Sequence, residues 1–259
     1  MLENVNVSAS IVTYNCKQKA LAAVKSLTEH TKKYPFSLYV FDNGSTDNIV
    51  EELSTLEGVS AQNTGANLGF GKAHNKALSK DLGKYHAVIN PDITVDYDVI
   101  ASLVDVLEAN EDIVMITPKI LNADGSIQHL PKRAPTFKYL FLGRLAFLKG
   151  PFLKARREYT LADENLTGLT DISFCTGCFF IMRSEVFKKL GGFDEDFFMY
   201  MEDADLTLRA KKYGRVVYDA ENYVTHLWER ESAKSLKYLI IHFKSCLKFF
   251  KKRREKKSQ

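Results

Sequence analysis

Two segments, Val7-Ser-Ala-Ser-Ile-Val-Thr-Tyr-Asn15 and Tyr85-His-Ala-Val-Ile-Asn-Pro-Asp92, share one arrangement, an apolar and β-branched run that ends in polar residues. Such runs are typical of buried β-strands. The neighbouring segments alternate in the same way, with strands predicted at residues 37–41, 59–62 and 113–117 and helices at 17–32, 48–56, 69–82 and 98–107. Strands that alternate with helices predict an α/β protein with a doubly wound parallel sheet.

Polar residues follow three of these strands at the point where each strand ends. They are Thr13 with Asn15, Asp42 with Asn43, and Asn90 with Asp92. In open α/β sheets, ligands bind beyond the carboxyl ends of the strands. The sequence therefore predicts a ligand site at this edge of the sheet.

The second half of the chain departs from this alternation. A strand is predicted at 172–183, a helix at 202–213, a short strand at 216–218 and a long helix from 235 onward. Residues 137–157 show no clear period, which favours a mobile loop. With no linker or repeat in view, we expect one domain over residues 1–233, followed by a basic amphipathic helix and tail over 234–259.

The charge of the chain is unevenly distributed. The 259 residues carry 36 basic and 32 acidic side chains, a formal charge of +4. Residues 234–259 hold ten Lys or Arg and one acid, so this segment carries +9 and the preceding 233 residues carry −5. The body is acidic and the tail is basic, which favours an anionic partner for the tail alone.

Several classes of protein are excluded by composition. No run reaches the roughly 18 apolar residues of a membrane span, and no signal peptide is visible. Four scattered cysteines fit a reducing cytoplasm. Cys175-Thr-Gly-Cys178 has the spacing of a redox or zinc pair, but a second pair is absent and its aromatic flanks indicate a buried structural segment.

An acidic cluster precedes and opens the predicted helix 202–213. Its six acids fall within 12 residues and are Asp194, Glu195, Asp196, Glu202, Asp203 and Asp205. Acids in a first helical turn are often only caps. Apolar neighbours, however, can raise a carboxyl pKa and make the group a usable base. Because Arg209 is placed to pair with Asp205, Asp203 is the freer acid.

Three further features stay open on the residues alone. Asn90-Pro91-Asp92 is either a plain turn or a place for a divalent cation on Asp92. The stretch Asn63-Thr-Gly-Ala-Asn-Leu-Gly-Phe-Gly71 suits phosphate or a nucleoside, and it matches neither a Walker loop nor a nicotinamide fingerprint. His226 follows a strand-like segment and is either structural or a ligand.

The order of these motifs resembles the family 2 glycosyltransferases of the GT-A fold, a doubly wound mixed sheet flanked by helices. The matching stretches are Ser10-Ile-Val-Thr-Tyr-Asn15, Val40-Phe-Asp-Asn-Gly-Ser-Thr-Asp47, Asn67-Leu-Gly-Phe-Gly71, Asn90-Pro-Asp92, Gly191-Gly-Phe-Asp-Glu195 and Tyr200-Met-Glu-Asp-Ala-Asp205. They run in the family's order from residue 7 to about residue 232. Among subgroups, the chain looks most like the bacterial rhamnosyltransferases of cell-wall and surface polysaccharide assembly.

The resemblance implies roles for nine residues. Asp203 stands at the family's catalytic base, and Asp92 and His226 stand at its metal site, for Mg²⁺ or Mn²⁺. Asn90 replaces the first acid of the family's Asp-x-Asp, so one charged metal ligand is missing. The nucleotide-sugar ligands implied are Thr13, Asn15, Asp42, Asn67, Gly69 and Asn90.

The resemblance implies an inverting transferase that moves L-rhamnose from dTDP-rhamnose to a polyprenyl-linked or polysaccharide acceptor. The same scaffold with a UDP-hexose donor, or a catalytically silent nucleotide-sugar-binding membrane scaffold, remains open. The predicted terminal helix carries apolar residues at helical spacing beside four lysines, so we expect it to lie on an anionic membrane and to bind no nucleic acid. We therefore expect a cytoplasmic protein, peripheral on the inner face of the plasma membrane, of open oligomeric state. A helix packed on the body is the alternative.

Overall fold

The computed structural model describes residues 5–144, 148–227 and 236–255. Nine strands within these ranges form one sheet. Their bounds are β1 Val7–Thr13, β2 Phe36–Asp42, β3 Val59–Asn63, β4 Tyr85–Ile89, β5 Ile93–Thr94, β6 Ile113–Leu121, β7 Leu169–Asp171, β8 Phe179–Arg183 and β9 Arg215–His226. The strand order is β3-β2-β1-β4-β8-β6-β9-β5, and β7 pairs with β9.

The sheet is mixed, as the family resemblance implies, and not wholly parallel, as the alternation of strands and helices predicts. Strands β1 to β4 are parallel to one another, and β6 is parallel to β9. Strand β8 lies between β4 and β6 and runs antiparallel to both. The three polar strand ends of the sequence prediction therefore share one edge, because β1, β2 and β4 are adjacent and point the same way.

Helices cover the sheet. Their bounds are α1 Lys17–His30, α2 Ile49–Leu53, α3 Phe70–His74, α4 Val99–Ala109, α5 Phe137–Arg144, α6 Gly150–Tyr159, α7 Ser184–Lys189, α8 Glu202–Ala210 and α9 Leu236–Glu255. Helix α1 buries Ala20, Ala23, Val24 and Leu27, the i, i+3, i+4, i+7 positions of one face. Burial of this stripe holds the helix on the apolar sheet.

The structure corrects the prediction of a mobile loop at residues 137–157. Its described residues, 137–144 and 148–157, lie mainly in helices α5 and α6, whereas residues 145–147 lie outside the described ranges. Tyr139 of α5 stacks on Tyr159 of α6 at 5.4 Å between ring centroids. Phe137 stacks on Phe250 of α9 at 3.8 Å. Because the aromatic partners lie far apart in sequence, the local pattern carries no clear helical period.

Other boundaries shift for local reasons. The predicted helix 69–82 is α3 followed by a 3₁₀ helix, Asn75–Ser79. The predicted strand 172–183 shortens to β8, since Gly177 and Cys178 form a turn instead, and the free Cys175 and Cys178 are both buried there. Burial raises the pKa of Cys178 to about 11, which disfavours the thiolate that redox or zinc chemistry needs.

A group of buried polar side chains connects β1, β4 and α3. Ser8 and Ser10 of β1 both contact the ring of His86, at 2.8 and 3.0 Å, and Ser10 also contacts His74 at 2.8 Å. Burial lowers the pKa of each histidine to about 3. Both rings are therefore neutral structural groups. Their hydrogen bonds with Ser8 and Ser10 connect β1 and β4 to α3.

Candidate active site

The carboxyl end of β2 is organised around Asp42. Its side chain is buried and accepts hydrogen bonds from Thr13 Oγ1 (2.9 Å), Asn63 Nδ2 (3.1 Å), the Ser45 amide (2.9 Å) and the Ser45 hydroxyl. Ser45 Oγ in turn accepts from the Asn15 amide at 2.8 Å. One carboxylate thus fixes the ends of β1, β2 and β3 relative to one another.

The Gly- and Asn-rich loop is attached to this group through Asn43. Asn43 Nδ2 donates to the Gly69 carbonyl at 2.9 Å, and the Gly69 amide donates to Asn67 Oδ1 at 3.0 Å. Gly69 has φ +83°, and a Cβ built there would lie 2.0 Å from the Phe198 carbonyl oxygen. The next amide, of Phe70, donates to that same oxygen at 2.9 Å. The loop therefore reaches the acidic segment 194–205 only because residue 69 is glycine.

The turn at Gly177 and Cys178 joins the end of β4 to α8. The Asn90 amide donates to the Cys178 carbonyl at 2.8 Å, and the Gly177 amide donates to Asp203 Oδ2 at 3.1 Å. The structure thus brings the Asn-Pro-Asp segment and the predicted base into one group.

Asp203 sits in the first turn of α8, where its other oxygen accepts from the Ala204 amide at 2.8 Å. Burial raises the pKa of Asp203, while the Lys132 ammonium and the two amides oppose that rise. Glu202 is 5% exposed, and burial together with the Asp203 charge raises its pKa. Lys132 and the amide hydrogen bonds thus favour the ionised form of Asp203, whereas the charge of Asp203 favours the protonated form of Glu202.

Asp205 takes the role predicted for it. Arg209 Nε lies 2.6 Å from Asp205 Oδ2, one helical turn away. The guanidinium also donates to the carbonyls of Leu190 and Gly192. This ion pair holds α8 against the end of α7.

Asp92 and His226 lie next to each other where β5 begins and β9 ends. His226 Nε2 lies 3.1 Å from Asp92 Oδ1, and the two side chains are 6% and 17% exposed. The backbone sets the pair, because Ile93 of β5 is in register with His226 and the Leu227 amide donates to the Asp92 carbonyl. On its other side His226 Nδ1 contacts Gln128 Oε1 at 3.0 Å.

Sequence reasoning missed two side chains of this site. Lys132 lies with its ammonium 4.9 Å from the Phe174 ring centroid and 5.9 Å from that of Tyr159, and its charge acts on Asp203. The other is Gln128, whose Oε1 contacts Nδ1 of the His226 ring. Both come from the irregular segment after β6, far in sequence from their partners, so no spacing rule connects them to Asp203 or His226.

The mixed sheet and its flanking helices form a GT-A fold. The same fold occurs in GalNAc-T7, solved with UDP, GalNAc and Mn²⁺, with a TM-score of 0.65 and 17% identity. That superposition covers 88% of this chain and 45% of GalNAc-T7. The chain belongs to glycosyl transferase family 2, which it matches over residues 8–191.

Two curated proteins that are similar in sequence to this chain are rhamnosyltransferases. The chain is 30% identical over 249 residues to the N-acetylglucosaminyl-diphospho-decaprenol L-rhamnosyltransferase of Mycobacterium tuberculosis, over 90% of this chain and 78% of that protein. It is 24% identical over 200 residues to the rhamnosyltransferase WbbL of Escherichia coli, over 74% and 73% of the two chains. The family-level prediction from the sequence motifs is confirmed.

Proposed function

We propose that this glycosyltransferase is an inverting enzyme that moves L-rhamnose from dTDP-rhamnose to a hydroxyl of a lipid-linked saccharide, in cell-wall or surface polysaccharide synthesis. Its likeness to the M. tuberculosis rhamnosyltransferase supports the sugar and the lipid-linked acceptor. The observation that carries the chemistry is the hydrogen-bonded turn at Gly177 and Cys178, which holds Asp203 beside the Asn90 end of β4.

Asp203 is the proposed general base. It would accept the proton of the acceptor hydroxyl as that oxygen attacks the anomeric carbon from the side opposite the nucleoside diphosphate. The C1–phosphate oxygen bond breaks as the new C1–oxygen bond forms, so no sugar is bound covalently to the enzyme. The Lys132 ammonium and the amide hydrogen bonds would favour the ionised form of Asp203, although burial lowers the pKa of Lys132 itself.

The donor would lie along the ends of β1, β2 and β4. Thr13, Asn15 and the Asn67–Gly69 part of the loop are proposed to line the nucleoside pocket, with Asn90 beside the sugar. Asp42 already accepts four hydrogen bonds from within the chain, so its proposed part is to hold this pocket in shape.

Asp92 and His226 fit a divalent cation, because a carboxylate oxygen and an imidazole nitrogen, both shielded from solvent, lie 3.1 Å apart. The described ranges contain no cluster of three or more His, Cys, Asp or Glu side chains placed to hold a metal. Donor phosphate oxygens would therefore supply the other ligands, as is usual for Mg²⁺. When bound, the cation would neutralise charge on the departing diphosphate.

Asp203→Asn tests the assignment of the base. The variant keeps the size of the side chain and should lower transfer about 10²–10⁴-fold while donor affinity stays within a few-fold of wild type. Single-turnover transfer assays and donor calorimetry on the same preparation measure the two effects. Asp171→Asn, at an exposed ion pair on β7, is the control. Wild-type transfer by Asp203→Asn would overturn the assignment.

A UDP-hexose donor is the second candidate, and it is supported by GalNAc-T7, a protein of the same fold that was solved with UDP. A silent binding scaffold is the third. Thermal melting with dTDP-rhamnose, UDP-glucose and UDP-N-acetylglucosamine separates the donors, because the preferred donor stabilises the folded state by mass action.

We also propose that α9 rests on an anionic membrane. Its packed face uses Ser245, Cys246 and Phe249, with Ser245 Oγ donating to the Met199 carbonyl at 2.8 Å. Of the six apolar residues at helical spacing in the sequence, Phe250 stacks on Phe137. The other five lie elsewhere on the helix and are 46–71% exposed; they are Leu236, Leu239, Ile240, Phe243 and Leu247. Packing on the body therefore leaves them uncovered, and exposed lysines at 237, 244 and 251 flank them. No helix in the three described ranges has the length and apolarity to cross a bilayer.

Vesicle flotation tests this placement. The double substitution Phe243→Glu and Leu247→Glu should abolish flotation with phosphatidylglycerol vesicles, because it places two acids on the apolar face. Leu169→Glu, at an exposed site on β7, should float as wild type does. Point variants are preferred to truncation before α9, since Lys252 of that helix pairs with Asp194 and Asp196. Equal flotation of both variants would contradict the placement.

A further inference from the structure

The side chain of Gln128 connects the turn after β6 to the ring of His226. Gln128 is 7% exposed, and its Nε2 donates to Asn122 Oδ1 at 2.7 Å and to the His226 carbonyl at 3.1 Å. Both hydrogens of the amide are thus committed. Its Oε1, an acceptor, faces His226 Nδ1 at 3.0 Å, and this geometry favours the ring proton on Nδ1.

The turn itself fixes the direction of the Gln128 amide. Asn122 Nδ2 donates to Ser126 Oγ at 2.8 Å, and Ser126 Oγ donates to Asp124 Oδ1 at 2.6 Å. These bonds aim Asn122 Oδ1 at Gln128. A reversed amide would place its oxygen against two other acceptors, Asn122 Oδ1 and the His226 carbonyl.

A neutral imidazole with its proton on Nδ1 presents a lone pair at Nε2. That atom faces Asp92 Oδ1 at 3.1 Å. Two acceptors at this distance repel, and a cation beside both atoms would relieve that repulsion. The hydrogen bond from His226 Nδ1 to Gln128 therefore turns the Nε2 lone pair toward Asp92, where both atoms suit a cation.

We propose that Gln128 is a positioning residue that sets the tautomer of His226, so that Nε2 is the nitrogen offered to a divalent cation. This inference rests on the proposed metal-dependent transfer. A group that orients a ligating histidine typically changes metal affinity 10–100-fold. A purely structural Gln128 would hold the turn and leave the tautomer unchanged.

The first test is a spectrum of the metal-free protein. Imidazole ¹⁵N shifts, assigned with His226→Ala, should show Nδ1–H in wild type. In Gln128→Leu the acceptor for Nδ1 is gone, so the ring should move to Nε2–H, which can donate to Asp92. An Nδ1–H ring in Gln128→Leu overturns the proposal.

The second test is a double-mutant cycle on Mn²⁺ affinity, measured by electron paramagnetic resonance in the presence of dTDP. Gln128→Leu should weaken Mn²⁺ binding 10–100-fold in the wild-type background and have no effect in the His226→Ala background. Equal effects in both backgrounds would overturn the proposal. If wild type binds no Mn²⁺, the metal part of the proposed function fails, and the tautomer spectra still decide the role of Gln128.

Discussion

Asp203 and Glu202 are adjacent carboxyl groups with different surroundings. Asp203 accepts two amide hydrogen bonds and feels the charge of Lys132, whereas burial and the charge of Asp203 dominate at Glu202. The preceding residues, Tyr200 and Met201, both have left-handed backbone, with φ of 70° and 71°. Such conformations are costly for non-glycine residues and concentrate at functional sites. The loop is thus bent to place these two acids.

Glu202→Gln should change how stability depends on pH. The pKa of Glu202 is raised in the folded state, so the folded chain holds this proton at pH values where the unfolded chain has lost it. The group therefore stabilises the fold at low pH. This stability is lost as pH rises from about 4.3 to the folded-state pKa, by about 1.4 kcal/mol for each pH unit in that interval.

Urea unfolding at pH 5, 7 and 9 measures this effect. The free energy of unfolding should fall less from pH 5 to pH 9 in Glu202→Gln than in wild type. Glu221→Gln, at an exposed position, should follow the wild-type curve. Parallel curves for wild type and Glu202→Gln would contradict the protonated, buried Glu202.

Part of this site is predictable residue by residue. The i, i+4 spacing of Asp205 and Arg209 predicts their ion pair, which leaves Asp203 as the freer acid, and the structure shows that pair. The approach of Lys132 is not predictable, because it depends on a bridge between Lys132 and Phe174 in an irregular segment. Local spacing identifies partners within one helix and does not identify partners across the fold.

At the scale of elements, the glycine loop before α3 and the acidic segment before α8 are fastened to each other at Gly69. Gly69→Ala should cost several kcal/mol of stability, since the new Cβ would meet the Phe198 carbonyl at 2.0 Å in a left-handed backbone. The substitution should also break the Phe70–Phe198 hydrogen bond and lower transfer.

Gly65→Ala is the matched control for this prediction. Gly65 lies in the same loop with φ +80°, but no atom of the described residues stands within 4 Å of its Cβ position. It should cost only about 1–2 kcal/mol, from the backbone conformation alone. Thermal unfolding and transfer rates of the two variants provide the comparison, and equal losses would show that contact with Phe198 is unimportant.

Helices and strands were predictable from the sequence where packing in or on the sheet requires a regular apolar pattern. Helix α1 and strands β1, β2 and β4 follow the apolar periodicity of the sequence. Helices α5 and α6 do not, because Phe137 and Tyr139 are held by rings of α9 and α6 rather than by a continuous apolar stripe. The long-range contacts decide the structure of this segment.

The whole molecule combines an acidic body with a basic terminal helix, and the structure places them in contact. Lys252 Nζ of α9 lies 2.5 Å from Oδ2 of both Asp194 and Asp196. These two acids belong to the segment that leads to Asp203. Helix α9 therefore packs against the segment that leads to the proposed base, which would suit an acceptor anchored in lipid. The alternation of strands and helices predicts the parallel half of the sheet, whereas the antiparallel insertion of β8 depends on pairing between segments that are far apart in sequence.

The most direct test of the central proposal is the mass of the product formed from a polyprenyl-linked GlcNAc acceptor with each of several donors and Mg²⁺ or Mn²⁺ present. We predict addition of one deoxyhexose with dTDP-rhamnose, and about 10²–10⁴-fold slower addition when Asp203→Asn replaces wild type. Addition of a hexose from a UDP-sugar with none from dTDP-rhamnose would contradict the proposed donor. Binding of the donors without any transfer would contradict the proposed enzyme.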